Sequence, residues 1–421
     1  MSTPLDQLPT TPGPVPLPGI AVTSATPIER VRAVYEVIAA PGDIDAVARA
    51  LATEQSVEMP LSAITDHRVL DEVVATVEAV EPIHPADDHR DHRDHDDHGD
   101  RPGQVIELDQ RFRITLGLAA ETVCDHHGQP DVAQLWNMLF GNCSLMEGVR
   151  LLDVTLPDAM LQYFGGPRFG VAGLRERCGV PQRALTCAAL KPQGMAPQAL
   201  AALGGRLAMG GLDLIKDDHG LSDQPAAPFA QRVPAVQAAV TAANAATGGT
   251  TRYAPSLVGS PTALVQQARL ARKVGVEVVL IAPALVGMAA FSELVRTELD
   301  GMAVLAHPAY AGAARVDPPL LLGRMFRLFG ADATIFPNVG GRFSYSASRC
   351  AALVDGARSP WGGLAPCLPV PAGGMTADRV PEMLDTYGHD VMLLIGGALL
   401  AAGDGLEAEA RRFVNAVAGH R

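Results

Sequence analysis

The chain has 421 residues, 48% of them hydrophobic, and a formal net charge of −13 at pH 7. That length exceeds what one hydrophobic core usually organises, so a large and a smaller domain are expected, and the apolar residues come in runs too short to cross a bilayer. The acidic balance argues against nucleic acid and anionic membrane surfaces as partners and leaves small-molecule chemistry, since an acidic protein can still hold a local positive pocket for a phosphate.

In chain order, residues 1–27 begin MSTPLDQLPTTPGPVPLPG, without the basic start and apolar core of a signal peptide. They read as a disordered Pro-rich leader, which favours the cytoplasm. Residues 28–157 mix helical and strand-like segments (ERVRAVYEVIAA, DIDAVARALATEQ, QVIELDQRFRITLGLA, VRLLDVTLP) and predict a small α+β domain, of ferredoxin-like type. Inside it, residues 81–103 alternate Asp, His and Arg with no apolar periodicity, so they cannot bury a face; we read an exposed loop without a catalytic role. Six cysteines (Cys124, Cys143, Cys178, Cys187, Cys350, Cys367) form no CxxC pair and no regular spacing, which leaves them as ordinary buried thiols.

Residues 158–421 are expected to form the second domain, and from about Arg183 the texture becomes short apolar strands followed by alanine-rich helical segments. Eight strands are predicted: Ala184–Leu190, Leu212–Lys216, Thr251–Gly259, Val276–Ala284, Met302–Ala309, Ala333–Val339, Ala365–Gly374 and Val391–Gly397. They are continuously apolar, as strands are when helices cover one side of a parallel sheet and side chains fill the other, so the fold class is α/β with a C-terminal (β/α)8 barrel. Polar residues gather where the strands end: Lys191, Lys216 to His219, His307, Asn338, Gly373-Gly374 and Gly396-Gly397. Barrel enzymes assemble their active sites at that face.

The densest of these ends is GGLDLIKDDHG, Gly210 to Gly220. Alternate side chains of a strand point to one side, so Lys216 and Asp218 can share a ligand. Asp218 and His219 suit a divalent cation such as Mg²⁺, whereas an ammonium at Lys216 opposes it. A buried lysine loses its proton readily, and a neutral amine can take up CO₂ to become an anionic carbamate; without that change a Lys216–Asp218 ion pair is expected.

The run resembles the GGLDxxKDDE motif of the ribulose-bisphosphate carboxylase/oxygenase (RuBisCO) large chain and its RuBisCO-like, form IV relatives, and the resemblance covers nearly the whole chain. It implies one Mg²⁺ per active site held by a carbamylated Lys216, Asp218 and, in the place of the motif's Glu, His219. ATEQS is similar to the stretch with an active-site Glu given by a neighbouring subunit, which implies Glu54, and LFGN implies Asn142 near the metal. GGPRFGVAGLRERCGV resembles the linker into the barrel, and ALKPQG carries Lys191, the implied proton-transfer residue. The same resemblance implies a homodimer whose sites are shared between one subunit's barrel and the other's N-terminal domain.

The departures bear on substrate. His307 is followed by Pro308 where the carboxylases have a phosphate-binding Arg, the sixth strand reads IFPN rather than IHSG, Ala372 stands for a Ser, Gln193 for the second lysine of KPK, and the loop NVGGRFSYS offers only Arg342. Gly373, Gly374, Gly396 and Gly397 remain, and bare backbone lets amide N–H groups approach a phosphate. One phosphate and no net CO₂ fixation are expected. The family implies Mg²⁺-dependent enolisation of a phosphorylated keto sugar acid, with Lys191, Lys216 and His307 moving or positioning protons. KDDHGLSDQ looks most like relatives acting on 3-oxo-isoapionate 4-phosphate as a transcarboxylase/hydrolase. The alternatives are an enolase or isomerase of methylthio-pentulose phosphates, and a non-catalytic barrel that binds a sugar phosphate.

Overall fold

The computed structural model describes residues 29–84 and 110–420. The expected leader and nearly all of the expected His/Asp-rich loop lie outside the described residues; Glu81 and Pro82, its first two, end a strand.

Four strands, β1 (Arg30–Ala39), β2 (Thr76–Pro82), β3 (Gln110–Ala119) and β4 (Val149–Thr155), form an antiparallel sheet in the order β2-β3-β1-β4. Helices Ile44–Glu54 and Val132–Phe140 connect β1 to β2 and β3 to β4, which gives the split βαβ arrangement of ferredoxin-like domains. Asp131 starts the second of these helices by accepting from the Gln134 amide, a side-chain N-cap. β1 alternates Val31, Ala33, Tyr35 and Val37, all buried, with more exposed positions, so one face of the sheet carries the core.

Eight parallel strands follow: β5 (Leu185–Leu190), β6 (Leu214–Asp217), β7 (Arg252–Ala254), β8 (Val278–Ile281), β9 (Ala303–Ala306), β10 (Ala333–Pro337), β11 (Leu368–Ala372) and β12 (Met392–Ile395). Their order is β7-β6-β5-β12-β11-β10-β9-β8, and a bridge between Ser256 and Leu280 joins the two ends into a barrel. All eight predicted strands are present, each shorter than its apolar run because the flanking apolar residues belong to the loops. Two apolar layers account for the strands' composition. Leu185, Cys187, Leu214, Ala254, Leu305 and Ile335 meet inside, with Leu174 and Cys178 of helix Gly170–Cys178 closing the bottom. Their neighbours Ala188, Ile215, Tyr253 and Phe336 pack outward against the helices. Five of the six cysteines are buried and all six are free thiols. Among the described residues no helix is long and apolar enough to cross a membrane.

Candidate active site

The inward or outward direction of each strand position fixes the site. Leu214 fills the barrel interior and Ile215 the outer layer, so continuing the alternation sends Lys216 and Asp218 inward and Asp217 outward. The same parity carries Lys191 inward, two residues beyond Ala189 whose register partner is Lys216, and His307 inward, two beyond Leu305.

Those inward residues form one cluster. Lys191 Nζ lies 2.6 Å from Asp218 Oδ1 and His219 Nδ1 lies 3.4 Å from the same oxygen. The His219 and His307 rings stack with centroids 4.4 Å apart and planes 9° from parallel. Lys216 is 2% exposed and its Nζ donates to the Asp217 carbonyl at 3.0 Å. Asp218 is therefore paired with Lys191, and the Lys216–Asp218 ion pair expected of an unmodified lysine is not formed. The reason is reach: Lys191 enters from the neighbouring strand with its side chain 40% exposed, whereas Lys216 is tucked against backbone below.

Burial sets the protonation of these groups. Removal from water drives the Lys216 amine below its ordinary value, outweighing the help of Asp218, with Lys191 adding a like charge. Burial, then the nearby Lys216 and His219, lower His307 to about 2, so its imidazole is neutral. Its Nδ1 accepts from the Ala309 amide at 3.1 Å, which leaves the ring proton on Nε2. Burial opposes ionisation of Asp218, but hydrogen bonds from His219 and Lys191 and the charge of Lys216 hold its carboxyl well below the usual range.

The outward residues have a different role. Asp217 is fully buried and accepts from Tyr253 Oη at 2.7 Å, from the Ser256 amide at 3.1 Å and from Arg232 Nε at 3.2 Å. Arg232, fully buried in helix Phe229–Thr247, also donates to the carbonyls of Ser222 and Ala227. This network locks the loop after β6 onto its helix, beneath the cluster. Motif reading missed it, although strand parity and an arginine on the buried face of the next helix were its signals. Asn338 obeys the same parity: it accepts from Tyr387 Oη at 2.6 Å and its Nδ2 lies against Met383 Sδ, so this strand-end residue faces the helices and not the mouth. Pro337 and Ala372 take the corresponding mouth positions.

Glu54 and Asn142 are brought to each other. Asn142 Nδ2 donates to Glu54 Oε1 at 3.0 Å, because the buried Gln55 donates to the Met138 carbonyl at 2.7 Å and ties the ends of the two N-terminal helices together. No hydrogen bond or ion pair among the described residues joins them to Lys216, Asp218 or His219 in the same chain. The glycines split in two pairs. A Cβ at Gly396 or Gly397 would meet nothing within 4 Å, so that backbone is open. Gly373 and Gly374 have φ of +97° and +65°, and a Cβ at Gly374 would lie 2.9 Å from the Gly340 carbonyl oxygen, so glycine is required there by both turn and neighbour. Arg379 joins these loops by donating to the Val339 and Gly374 carbonyls. Arg342 lies 5.0 Å from the ring centre of Phe343, which is 70% exposed.

Among the described residues no three His, Cys, Asp or Glu side chains converge, so a divalent cation finds two such donors, Asp218 and His219. Lys216 is the other inward residue of this strand end, and its burial favours the neutral amine that carbamate formation needs. As described, the site supplies two such donors, and a third exists only with Lys216 carbamylated.

Residues 170–418 match the ribulose bisphosphate carboxylase large chain, catalytic domain. The chain is 50% identical to ribulose bisphosphate carboxylase-like protein 1 of Rhodopseudomonas palustris over 93% of its length and 98% of that protein. It is 50% identical to the 5-methylthioribulose-1-phosphate isomerase of Rhodospirillum rubrum over 93% of its length and 97% of that protein. A 2,3-diketo-5-methylthiopentyl-1-phosphate enolase of Geobacillus thermodenitrificans is 34% identical over 65% of this chain and 68% of that one. Among solved structures, a Rubisco-like protein from Rhodopseudomonas palustris superposes with a TM-score of 0.80 at 46% identity, covering 93% of this chain and 99% of that one. A dimeric archaeal Rubisco from Hyperthermus butylicus shares the fold with a TM-score of 0.78 at 21% identity, over 94% and 92% of the two chains. With two domains of this topology and near-complete coverage by such relatives, the chain belongs to the RuBisCO large-chain family, as one of its RuBisCO-like members.

Proposed function

We propose that this protein is an enolising isomerase of a methylthio-pentulose monophosphate, with 5-methylthioribulose 1-phosphate as substrate. The carrying observation is the half identity, over nearly all of both chains, to a relative named for that reaction. The cluster agrees with it. Pro337 and Ala372 make part of the mouth apolar and Pro308 leaves one phosphate site empty of arginine, which suits a substrate with a thioether at one end and a phosphate at the other.

Lys216 as a carbamate, Asp218 and His219 would hold one Mg²⁺. When bound, the cation supplies stabilisation of the negative charge that develops on the substrate's oxygens during enolisation. Isomerisation removes a proton from the carbon beside the carbonyl and returns one to the adjoining carbon. Lys191, held at 2.6 Å by Asp218 and open to the mouth, is placed to carry that proton, with the Lys216 carbamate as its counterpart. The neutral His307 directs its Nε2–H toward substrate hydroxyls and fixes their orientation. The open amides of Gly396 and Gly397, with Gly373 and Gly374 beside them, receive the single phosphate.

The working unit in this reading is a homodimer in which Glu54 and Asn142 complete the partner's site. The Glu54–Asn142 pair adjoins Leu145, 82% exposed, and Met146, 40% exposed, two neighbouring apolar side chains that a partner's surface would cover. The relatives reported above are named for methylthio-pentulose compounds, which move ahead of the apionate-derived substrate expected from KDDHGLSDQ. Incubating the purified protein with Mg²⁺, bicarbonate and, separately, 5-methylthioribulose 1-phosphate, 2,3-diketo-5-methylthiopentyl 1-phosphate and 3-oxo-isoapionate 4-phosphate decides. Turnover of the first compound to an isomer of equal mass is expected; no turnover of it, or faster turnover of either other compound, removes the assignment.

A further inference from the structure

Glycine turns offer bare amides to a phosphate, but a turn without a Cβ has little of its own to hold its peptides in one orientation. We infer that Arg379 and Glu382 set the phosphate affinity of the Gly373-Gly374 turn from behind it. The Arg379 guanidinium fixes the peptides and supplies positive charge without touching the ligand, and Glu382 attenuates that charge. Arg379 is thus a positioning residue. The inference rests on the phosphate reading of the glycine turns given above and deepens it.

Three observations carry it. First, the guanidinium is built into the turn. Gly340 and Gly374 have φ of +76° and +65°, and a Cβ on them would lie 3.5 Å and 3.2 Å from Arg379 Nη1, so the group takes up the space beside two bare backbones. Nη1 donates to the Gly374 carbonyl at 3.1 Å and to the Val339 carbonyl at 3.3 Å, and Nη2 donates to the Val339 carbonyl at 3.3 Å. The peptide after Gly374 is otherwise free to rotate and present its carbonyl oxygen to an anion; the bond to Nη1 holds that oxygen back. Second, no N–H of Arg379 is left over for a ligand. Nε donates to Glu382 Oε2 at 3.0 Å and Nη2 to Glu382 Oε1 at 2.9 Å, which with the carbonyls engages all the donors of a guanidinium. Its action on a phosphate is therefore through charge and geometry. Third, the surroundings are anchored. Tyr387, on helix Val380–Tyr387 that follows Arg379, donates to Asn338 at 2.6 Å, and the Asn338 amide donates to the Ala372 carbonyl at 2.9 Å, so the ends of β10 and β11 stay against Arg379. The hydrogen bonds from Arg379 hold the Glu382 carboxyl below its ordinary range, so both charges are present at neutral pH. Glu382, with its side chain 57% exposed, is screened by solvent more than Arg379 at 23%, and the turn feels a net positive charge.

The test uses inorganic phosphate and the full-length protein at low ionic strength. Dissociation constants are measured by calorimetry for the wild type, Arg379→Gln, Arg379→Lys and Glu382→Gln, with thermal unfolding followed in parallel. Arg379→Gln is expected to weaken phosphate binding at least about tenfold, since it removes the positive charge and leaves Glu382 uncompensated. Arg379→Lys keeps the charge but has no planar fork to hold two carbonyls and a carboxylate together, so it recovers only part of that loss. Glu382→Gln removes the opposing charge and is expected to tighten phosphate about threefold, even if it lowers the unfolding temperature. That opposite sign separates the inference from a merely structural role, in which loosening the turn by either substitution weakens binding. No phosphate binding by the wild type, unchanged binding in Arg379→Gln, or unchanged or weaker binding in Glu382→Gln overturns the inference. Each of those results leaves the isomerase assignment standing, because turnover of 5-methylthioribulose 1-phosphate is scored separately. Absent turnover with the expected phosphate responses removes that assignment and leaves the role of Arg379 intact.

Discussion

Asp217 and Asp218 are neighbours in the sequence and belong to two different regions of the molecule. Asp218 faces the barrel mouth and shares one oxygen with Lys191 and His219, both of which are partly exposed. Asp217 faces the helical layer, is fully buried, and has its oxygens accounted for by Tyr253, Ser256 and Arg232. One strand step separates them. The contrast teaches that in a barrel enzyme a contiguous motif is two half-motifs, one read by the ligand and one by the scaffold, and that substitutions should divide into activity effects and stability effects along that line.

The comparison breaks most visibly at its inward side. Lys216→Met should lower turnover of 5-methylthioribulose 1-phosphate at least about 10⁴-fold, about 5.5 kcal/mol in the barrier, with the circular dichroism spectrum unchanged. On the outward side, Asp217→Asn leaves the Arg232 charge buried without a counter-charge and should cost about 3–5 kcal/mol of stability in urea titrations. Asp217→Asn combined with Arg232→Met should cost less than the two single changes summed. Equal losses from Asp217→Asn and Asp218→Asn in both stability and turnover would erase the distinction between the two faces. Tyr387→Phe removes the hydrogen bond to the outward Asn338 and should cost about 1–3 kcal/mol of stability with KM unaltered. An altered KM there would mean that Asn338 reaches the mouth after all.

A pH series sharpens the same line. The folded protein holds His307 at about 2, against 6.5 in an exposed chain, so below pH 6.5 the unfolded state takes up a proton that the folded state refuses. This contribution to stability is therefore lost as pH falls from 6.5, by up to about 1.4 kcal/mol per unit. In metal-free buffer, His307→Gln should flatten the stability–pH curve in that range; an unchanged slope would place His307 in a wetter site than the one described. The smallest effect is expected in the N-terminal domain, where Asn142→Ala removes an exposed hydrogen bond to Glu54 and should change monomer stability by less than about 0.5 kcal/mol, read by thermal unfolding.

How far the sequence carried the reader follows from the same geometry. The eight strands were legible because each is a continuous apolar run with a polar end, and the ferredoxin-like domain because β1 and β4 alternate with helical segments. Lys191, Lys216, Asp218, His219 and His307 were legible as a cluster because each sits at the end of an inward-facing strand or just beyond it. What the residues could not display was partnership. Asp218 takes Lys191 and not Lys216, because length and depth of side chains, which no spacing encodes, decide who reaches the carboxylate. The His219–His307 stack joins loops 88 positions apart in the chain, and the Asp217–Arg232–Tyr253 lock needs three elements in register. Asn338 looked like a mouth residue because strand ends mark the catalytic face, but Pro337 holds the inward position.

The account's central claim is that the inward cluster enolises its substrate, and proton exchange tests it directly. In D₂O with Mg²⁺ and bicarbonate, wild-type protein should incorporate deuterium into 5-methylthioribulose 1-phosphate or its isomer at the carbon beside the carbonyl, followed by proton NMR, and Lys216→Met should not. Equal exchange by both proteins, or none by the wild type, would contradict the claim.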